Sequence, residues 1–379
     1  MNSKFPHIGT SIFTVMSALA KEHKAINLSQ GFPDFDCDPK LSAAAAKASQ
    51  TGHNQYAPMA GLPTLRQKIA AFCEEEYQIQ YQWDSEITIC SGATEALFAT
   101  IMAIVRPGDE VIIIEPAYDS YRPAIEMAGG IPVAIQLNAP DYQIDWYLLE
   151  QAITPKTRLL LLNSPHNPTG KILKASDIEA LEQIISRHEF FVASDEVYEF
   201  IIFDEKKHIS LAQSEILRPH AIIISSFGKS LHTTGWKVGY ALAPKLISQE
   251  IRKVHQFLTF SVATPFQYAI SDYLTQFPAQ LKAVGPMYQA KRDLLLQLME
   301  GSRFKALKCE GSYFQLMDYS AISDMDDVSF ARWLTQEIGV AAIPVSAFYS
   351  EPTTDKVVRF CFAKRDNTLE QACERLRKL

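Results

Sequence analysis

The sequence predicts an α/β protein, with a mostly parallel sheet sandwiched between helices and a smaller α+β domain beside it. Three observations predict this. Short continuous apolar runs recur through the middle of the chain, at Val111-Ile112-Ile113-Ile114, Leu159 to Leu162 and Ile222-Ile223-Ile224. Such runs suit strands covered on both faces, as in a parallel sheet under helices. Helical segments fall between the runs, the alternation that α/β layering requires. From about Pro265 the texture changes to long helical segments and then short strands.

In chain order, Ile12, Met16 and Leu19 fall on one face of a short amphipathic helix. That stretch ends in Ala18-Leu19-Ala20, a superficial likeness to a secretory cleavage site. Gly9, Thr10, Ser11, Thr14 and Ser17 interrupt it, however, and Lys4 is its only charged flank. Strands are predicted at Ile87–Cys90, Val111–Glu115, Pro132–Leu137, Arg158–Leu162, Phe190–Ala193 and Ile222–Ser225, with Val238–Ala243 a further candidate. Thr94–Val105 and Ala175–Ser186 read as helices between them. Later come a helix at Lys291–Glu300, strands at Tyr313–Met317 and Val357–Phe362, and a final charged helix. A chain of 379 residues is too long for one small core. We therefore expect a large domain over residues 40–275 and a small one from residues 1–39 and 276–379. No long Pro/Gly linker separates them, so the two should pack together around a cleft.

Bulk charge narrows the function classes. A net charge of −7 and a pI near 5.8 argue against a nucleic-acid footprint, which needs a basic face. No apolar run reaches the roughly 18 residues that span a bilayer. Cys37, Cys73, Cys90, Cys309, Cys361 and Cys373 are scattered, without C-x-x-C or metal-ligand spacing. Free thiols, no metal and a cytoplasmic setting are expected.

Four motifs carry chemistry. The first is Ser225-Ser226-Phe227-Gly228-Lys229-Ser230, with Thr234-Gly235-Trp236-Lys237-Val238-Gly239 after it. It puts a lysine where a strand ends, the place α/β sheets present ligand-binding groups. Gly228-Lys229-Ser230 spells the end of a nucleotide P-loop, but that loop needs glycine at 223, where Ile223 stands. A lysine amine is nucleophilic only when deprotonated, which favours a site near other cations and away from bulk water. Lys237 would be such a cation. The second motif, Ser194-Asp195-Glu196-Val197-Tyr198, ends an apolar strand; by itself, an Asp there is more often a helix cap. The third, Asn163-Ser164-Pro165-His166-Asn167-Pro168-Thr169-Gly170, also reads as an ordinary Pro/Asn/Gly turn. We expect His166 to stabilise that loop and assign it no catalysis. The fourth, Ser91-Gly92-Ala93-Thr94-Glu95-Ala96, runs a strand into a helix whose free N–H groups and dipole suit an anion.

Their order, Gly92-Ala93-Thr94, Asn167-Pro168, Asp195 to Tyr198 and then Lys229, resembles the class I aminotransferases of the fold-type I PLP (pyridoxal 5′-phosphate) enzymes. The resemblance covers essentially the whole chain and extends to Asn27 to Phe35 and Asn54 to Pro58. It is nearest to the subgroup holding kynurenine/glutamine and bacterial methionine aminotransferases. His255 to Val262 and the Gly235-Trp236-Lys237 lysine point to the methionine type.

That resemblance implies a role for each residue. Lys229 would be the Schiff-base lysine and proton shuttle, and Asp195 would keep the pyridine nitrogen protonated. Asn167 and Tyr198, one helical turn beyond Asp195, would hold the ring oxygen, with Tyr118 stacked on the ring. Ala93, Thr94, Ser226 and Lys237 would hold the phosphate, with Tyr56 reaching it from the partner of a homodimer. Many relatives carry arginine where Lys237 stands, so here the grip leans more on Ser226 and backbone N–H groups. Arg359 would bind the substrate α-carboxylate; an arginine inside an apolar strand needs a partner, and a structural salt bridge is the rival reading. Gly31, Phe13 and Phe260, the last from across the dimer, would line an apolar side-chain pocket together with Ile12 and Phe32. The expected reaction is transfer of the α-amino group of methionine, or of aromatic and related neutral amino acids, to a 2-oxo acid by a ping-pong cycle. Kynurenine/glutamine transamination and β-elimination on a cysteine conjugate are the enzyme rivals. A non-catalytic regulator would need a basic helix-turn-helix, and none is apparent.

Overall fold

The apolar runs become strands in the computed structural model, which describes residues 9–379. In chain order these are β1 (Ile26–Asn27), β2 (Ile87–Cys90), β3 (Glu110–Glu115), β4 (Ile131–Gln136), β5 (Thr157–Asn163), β6 (Phe191–Asp195), β7 (Ala221–Ser226) and β8 (Gly239–Leu242). After them come β9 (Lys305–Ala306), β10 (Phe314–Asp318), β11 (Val340–Ala341), β12 (Ile343–Pro344) and β13 (Val357–Cys361).

Seven strands form one sheet in the order β2-β8-β7-β6-β5-β3-β4. All its pairings are parallel except those of β8, which runs against both neighbours. Ile112, Ile114, Leu160, Leu162 and Ile223 pack into the core on one face. Val111, Ile113, Leu159, Leu161, Ile222 and Ile224 pack into the core on the other. Side chains alternate along a strand, so burial of both faces is what makes the runs continuously apolar.

Two local differences from expectation bear on the site. β6 reaches Asp195, two residues further than the apolar run, because Asp195 pairs with Asn163 of β5 and Ile224 of β7. Tyr198 then lies in a turn, not a helix. The helix after β2 begins at Gly92 rather than Thr94. Gly92 has φ +74°, a conformation that costs glycine little, so the chain turns within one residue of Ser91.

A second sheet, antiparallel and ordered β12-β13-β10-β9, carries its own core of Tyr313, Phe314, Phe330, Phe360 and Leu369. The amphipathic helix Ile12–Glu22 buries Met16 in that core, and β1 pairs in parallel with β11. The helix Thr264–Gln276 packs on Pro39–Gln50, whereas Val284–Leu298 packs on the final helix Asp366–Leu376. Among the described residues no helix is long and apolar enough to cross a membrane.

Candidate active site

Parallel strands deliver their carboxyl ends to one edge, and the side chains there converge. Asn163 ends β5, Asp195 ends β6 and Ser226 ends β7. Asn163 donates its amide to the Asp195 carbonyl at 2.7 Å and accepts the Asn167 N–H at 2.7 Å. That fixes the start of the Ser164–Gly170 loop across the strand ends. His166 shares a 2.7 Å hydrogen bond with the Thr169 hydroxyl, and burial pushes its ring down to about 4. It stays neutral and braces the loop.

Thirteen of the residues singled out from sequence line one cavity of about 260 Å³: Phe13, Gly31, Phe32, Ala93, Thr94, Tyr118, Asn167, Asp195, Tyr198, Ser226, Lys229, Lys237 and Arg359. Tyr56 and Phe260 stand outside it, 80% and 45% exposed, with their rings edge to face at 5.1 Å. Ile12 is also outside, in a neighbouring cleft with Tyr118 and Arg122.

At one end of the cavity is an anion cup. The helix Gly92–Ile104 presents its first N–H groups there, and Lys237 donates to the Thr94 hydroxyl at 3.5 Å. The Ser226 hydroxyl accepts the Gly228 N–H at 3.2 Å. Gly239 lets β8 press against this turn, since a Cβ there would sit 2.8 Å from the Ala93 nitrogen and 2.7 Å from the Ser225 carbonyl.

Lys229 and Asp195 lie on the floor. Lys229 donates to the Tyr313 hydroxyl at 2.8 Å and more weakly to the Gly31 carbonyl at 3.4 Å. Burial pushes its amine down to about 8; Asp195 opposes this, and Lys237 and Arg359 add to it. Burial, more than the neighbouring lysine expected from sequence, supplies the neutral amine. Asp195 accepts the Tyr121 hydroxyl at 2.7 Å and the Val197 N–H at 3.4 Å. Burial raises its carboxyl to about 6 against the Tyr121 hydrogen bond.

That shift fixes a sign. A carboxyl with a folded pKa above its unfolded value binds more protons in the native state, between about 4 and about 6. Stability therefore falls as pH rises through that window and stays lower above it. Asp195→Asn should stabilise the cofactor-free chain at pH 7.5, by on the order of 1–3 kcal/mol, and leave it little changed at pH 4. Thermal melts at the two pH values check this, and an equal effect at both would remove the carboxylate as its cause.

Arg359 closes the other end. It is 1% exposed in β13, with the Phe314 ring 3.8 Å from its guanidinium. It donates to Asn167 Oδ1 at 2.7 Å and to the Ser29 carbonyl at 3.1 Å, and its Nε has no partner. Burial lowers it to about 10. The rival reading, a structural salt bridge, finds no carboxylate among these partners. Sequence reasoning missed Tyr121, Tyr313 and Phe314. Tyr121 follows Tyr118 by one turn-like spacing; the other two gave no signal beyond a strand-like apolar run.

With this geometry in view, comparison with known proteins decides the family. The model for "Aminotransferase class I and II" matches residues 23–376. The chain belongs to the class I and II aminotransferases. It is 52% identical to methionine aminotransferase of Escherichia coli K12, across 100% of this chain and 98% of that protein. The solved structure of the Escherichia coli protein YbdL, described as having methionine aminotransferase function, superposes with a TM-score of 0.98 at 52% identity, covering 100% of this chain and 99% of that one. Kynurenine–oxoglutarate transaminase 1 of Mus musculus is 36% identical, over 94% of this chain and 92% of that protein. This aminotransferase therefore has the fold-type I architecture, and its family is PLP-dependent.

Proposed function

We propose that this aminotransferase moves the α-amino group of methionine, and of aromatic and related neutral donors, to a 2-oxo acid by a ping-pong cycle, with PLP held in the cavity. The observation that carries this reading is a cavity in which Arg359 stands with Phe13, Phe32 and Phe314, and whose other two cations, Lys229 and Lys237, are taken up by cofactor roles, in a chain 52% identical to a methionine aminotransferase over its full length.

The residues fit the cofactor. Asp195 is a buried carboxylate whose side-chain partners are a hydroxyl and an N–H, so a ring cation has a place beside it. The cup gathers N–H groups, hydroxyls and Lys237 for a phosphate, as a point charge rather than a bidentate fork. Tyr118 offers a flat face. The bound cofactor supplies the electron sink for a carbanion at substrate Cα. The chain does the rest. Asp195 holds the ring nitrogen protonated, and Asn167 and Tyr198 address the ring oxygen. Arg359 orients the α-carboxylate through its unsatisfied Nε, and Lys229 Nζ takes the Cα proton and returns it.

Phe257, Tyr56 and Phe260 are 87%, 80% and 45% exposed. Covering them with a second copy would remove apolar surface from water, which supports a homodimer with Tyr56 and Phe260 serving the partner's site. Met16 and Leu28 share a core with Tyr313, Phe330, Phe360 and Leu369, which supports the described residues up to 39, with 276–379, as the small domain beside a large one of 40–275. Six unpaired cysteines support a cytoplasmic setting.

Among the described residues, the cations lining the cavity are Lys229, Lys237 and Arg359, each already assigned. Arg122 lies in the neighbouring cleft, paired with Glu115 at 3.1 Å. A second carboxylate would lie unpaired near Phe13, Phe32 and Phe314, whereas a thioether or ring gains from that surface. We therefore expect kcat/KM, at one fixed acceptor, to rank methionine and phenylalanine above aspartate by about a hundredfold or more, with glutamine and kynurenine between. Aspartate ranking first would overturn the pocket assignment.

A further inference from the structure

We infer that Tyr313 is a positioning residue for the ε-amine of Lys229, tying it to the Gln30–Phe32 segment that walls the cavity. The inference rests on Lys229 being the amine that attaches the cofactor and moves the proton. Tyr313 enters β10 from the second sheet and is fully buried. Its hydroxyl donates to the Gly31 carbonyl at 2.5 Å, which commits its one hydrogen. Only lone pairs remain for Lys229, and Nζ donates to them at 2.8 Å. Tyr313 is thus the one side chain to which the amine donates among the described residues, and the Gly31 carbonyl accepts from both the amine and the Tyr313 hydroxyl.

The ring holding that hydroxyl is pinned. It stands edge-on to Tyr198 at 5.1 Å, with Tyr288 at 5.5 Å and Phe314 at 4.9 Å. The charged and titratable groups facing Lys229 come from three other directions: Asp195 at the end of β6 with Tyr198 just after it, Lys237 before β8, and Arg359 and Cys361 on β13. None of them takes a hydrogen bond from Nζ. An acceptor there stabilises the ammonium over the free amine and fixes which N–H points at Tyr313. The consequence is a lysine held in one rotamer, with its basicity set partly by a residue of the second sheet. A segment that moves Gly31 also moves the lysine's partner.

The test uses the full-length cofactor-free chain. Competitive acylation with acetic anhydride across pH, read by mass spectrometry at the Lys229 peptide, gives the midpoint at which the free amine appears. Tyr313→Phe keeps the ring and removes the acceptor, so the midpoint should fall by about half a pH unit or more. Tyr288→Phe removes a buried, unpartnered hydroxyl from the same ring cluster and should leave the midpoint in place. An unchanged midpoint in Tyr313→Phe, or an equal shift in Tyr288→Phe, overturns the inference. Should the cofactor-free variant be unstable, pH titration of the holoenzyme's visible absorption band replaces it: a displaced midpoint is expected for Tyr313→Phe alone, and none overturns the proposal. Borohydride reduction of the wild-type holoenzyme with peptide mapping tests the underlying reading separately. A pyridoxyl group on Lys237 instead of Lys229 would sink that reading whatever the midpoint does.

Discussion

Lys229→Ala is expected to give a folded protein whose transamination is reduced by about three orders of magnitude or more. General acid–base catalysis by a positioned group contributes about 10²–10⁴-fold, and this amine also anchors the cofactor. Its environment argues for that task. Burial brings the amine to about 8, so a useful fraction is neutral near physiological pH. The same shift sets the stability cost. A base with a folded pKa below its unfolded value binds fewer protons natively between about 8 and about 10.5. Stability rises with pH through that window, so at pH 7 the charged lysine is a burden on the fold. Removing it offsets the lost contact with Tyr313, and the melting temperature at pH 7 should stay within a few degrees of wild type. Steady-state assays with methionine and a 2-oxo acid, alongside melts, check both halves. Near wild-type turnover would remove Lys229 from the mechanism. Mixing this variant with an inactive Tyr56→Ala subunit should restore some activity through hybrid sites. No recovery despite verified subunit exchange would argue against Tyr56 acting across the boundary.

Much of this site was legible in the sequence because its residues cluster in short motifs at strand ends. Asn163, Asp195 and Ser226 sit where apolar runs stop, and sheet register then brings them side by side without further information. Arg359 was legible for a different reason: a charge inside Val357–Cys361 conflicts with burial, and the conflict itself pointed to a ligand. What could not be read was contact between distant segments. Tyr313 meets Lys229 across 84 positions and Gly31 across 282, a proximity that only the packing of the second sheet on the first creates. Tyr121 reaches Asp195 across 74 positions because the helix Tyr121–Met127 packs against the first sheet itself. The end of β6 was misplaced because polarity was taken to end the strand, whereas backbone pairing continues wherever neighbours offer partners. The resemblance put Ile12 at the pocket together with Phe13, but successive residues of a helix point in different directions, and of the two only Phe13 turns inward.

Arg359→Met should lower kcat/KM for every amino donor together, while leaving the fold as stable as before or more so. All donors share the α-carboxylate, so the loss is common to them. Truncating one partner of a buried, hydrogen-bonded charge pair costs on the order of 2–5 kcal/mol, or about thirtyfold to several thousandfold in rate. The stability half of the expectation comes from what Arg359 touches in the ligand-free chain. Its guanidinium is buried, two of its nitrogens meet neutral oxygens, its Nε meets nothing, and burial holds it down at about 10. A base shifted downward costs native stability as long as it is charged, so at neutral pH Arg359 is a charge kept desolvated for a partner that arrives with the substrate. Methionine fills similar volume against Phe314 without that penalty, although Asn167 Oδ1 loses its donor. Measured kcat/KM for methionine and phenylalanine should fall by the same factor within about threefold, and Tm should not drop. A collapse in Tm would make Arg359 a structural residue. A loss confined to one donor would place it at the side chain instead of the carboxylate.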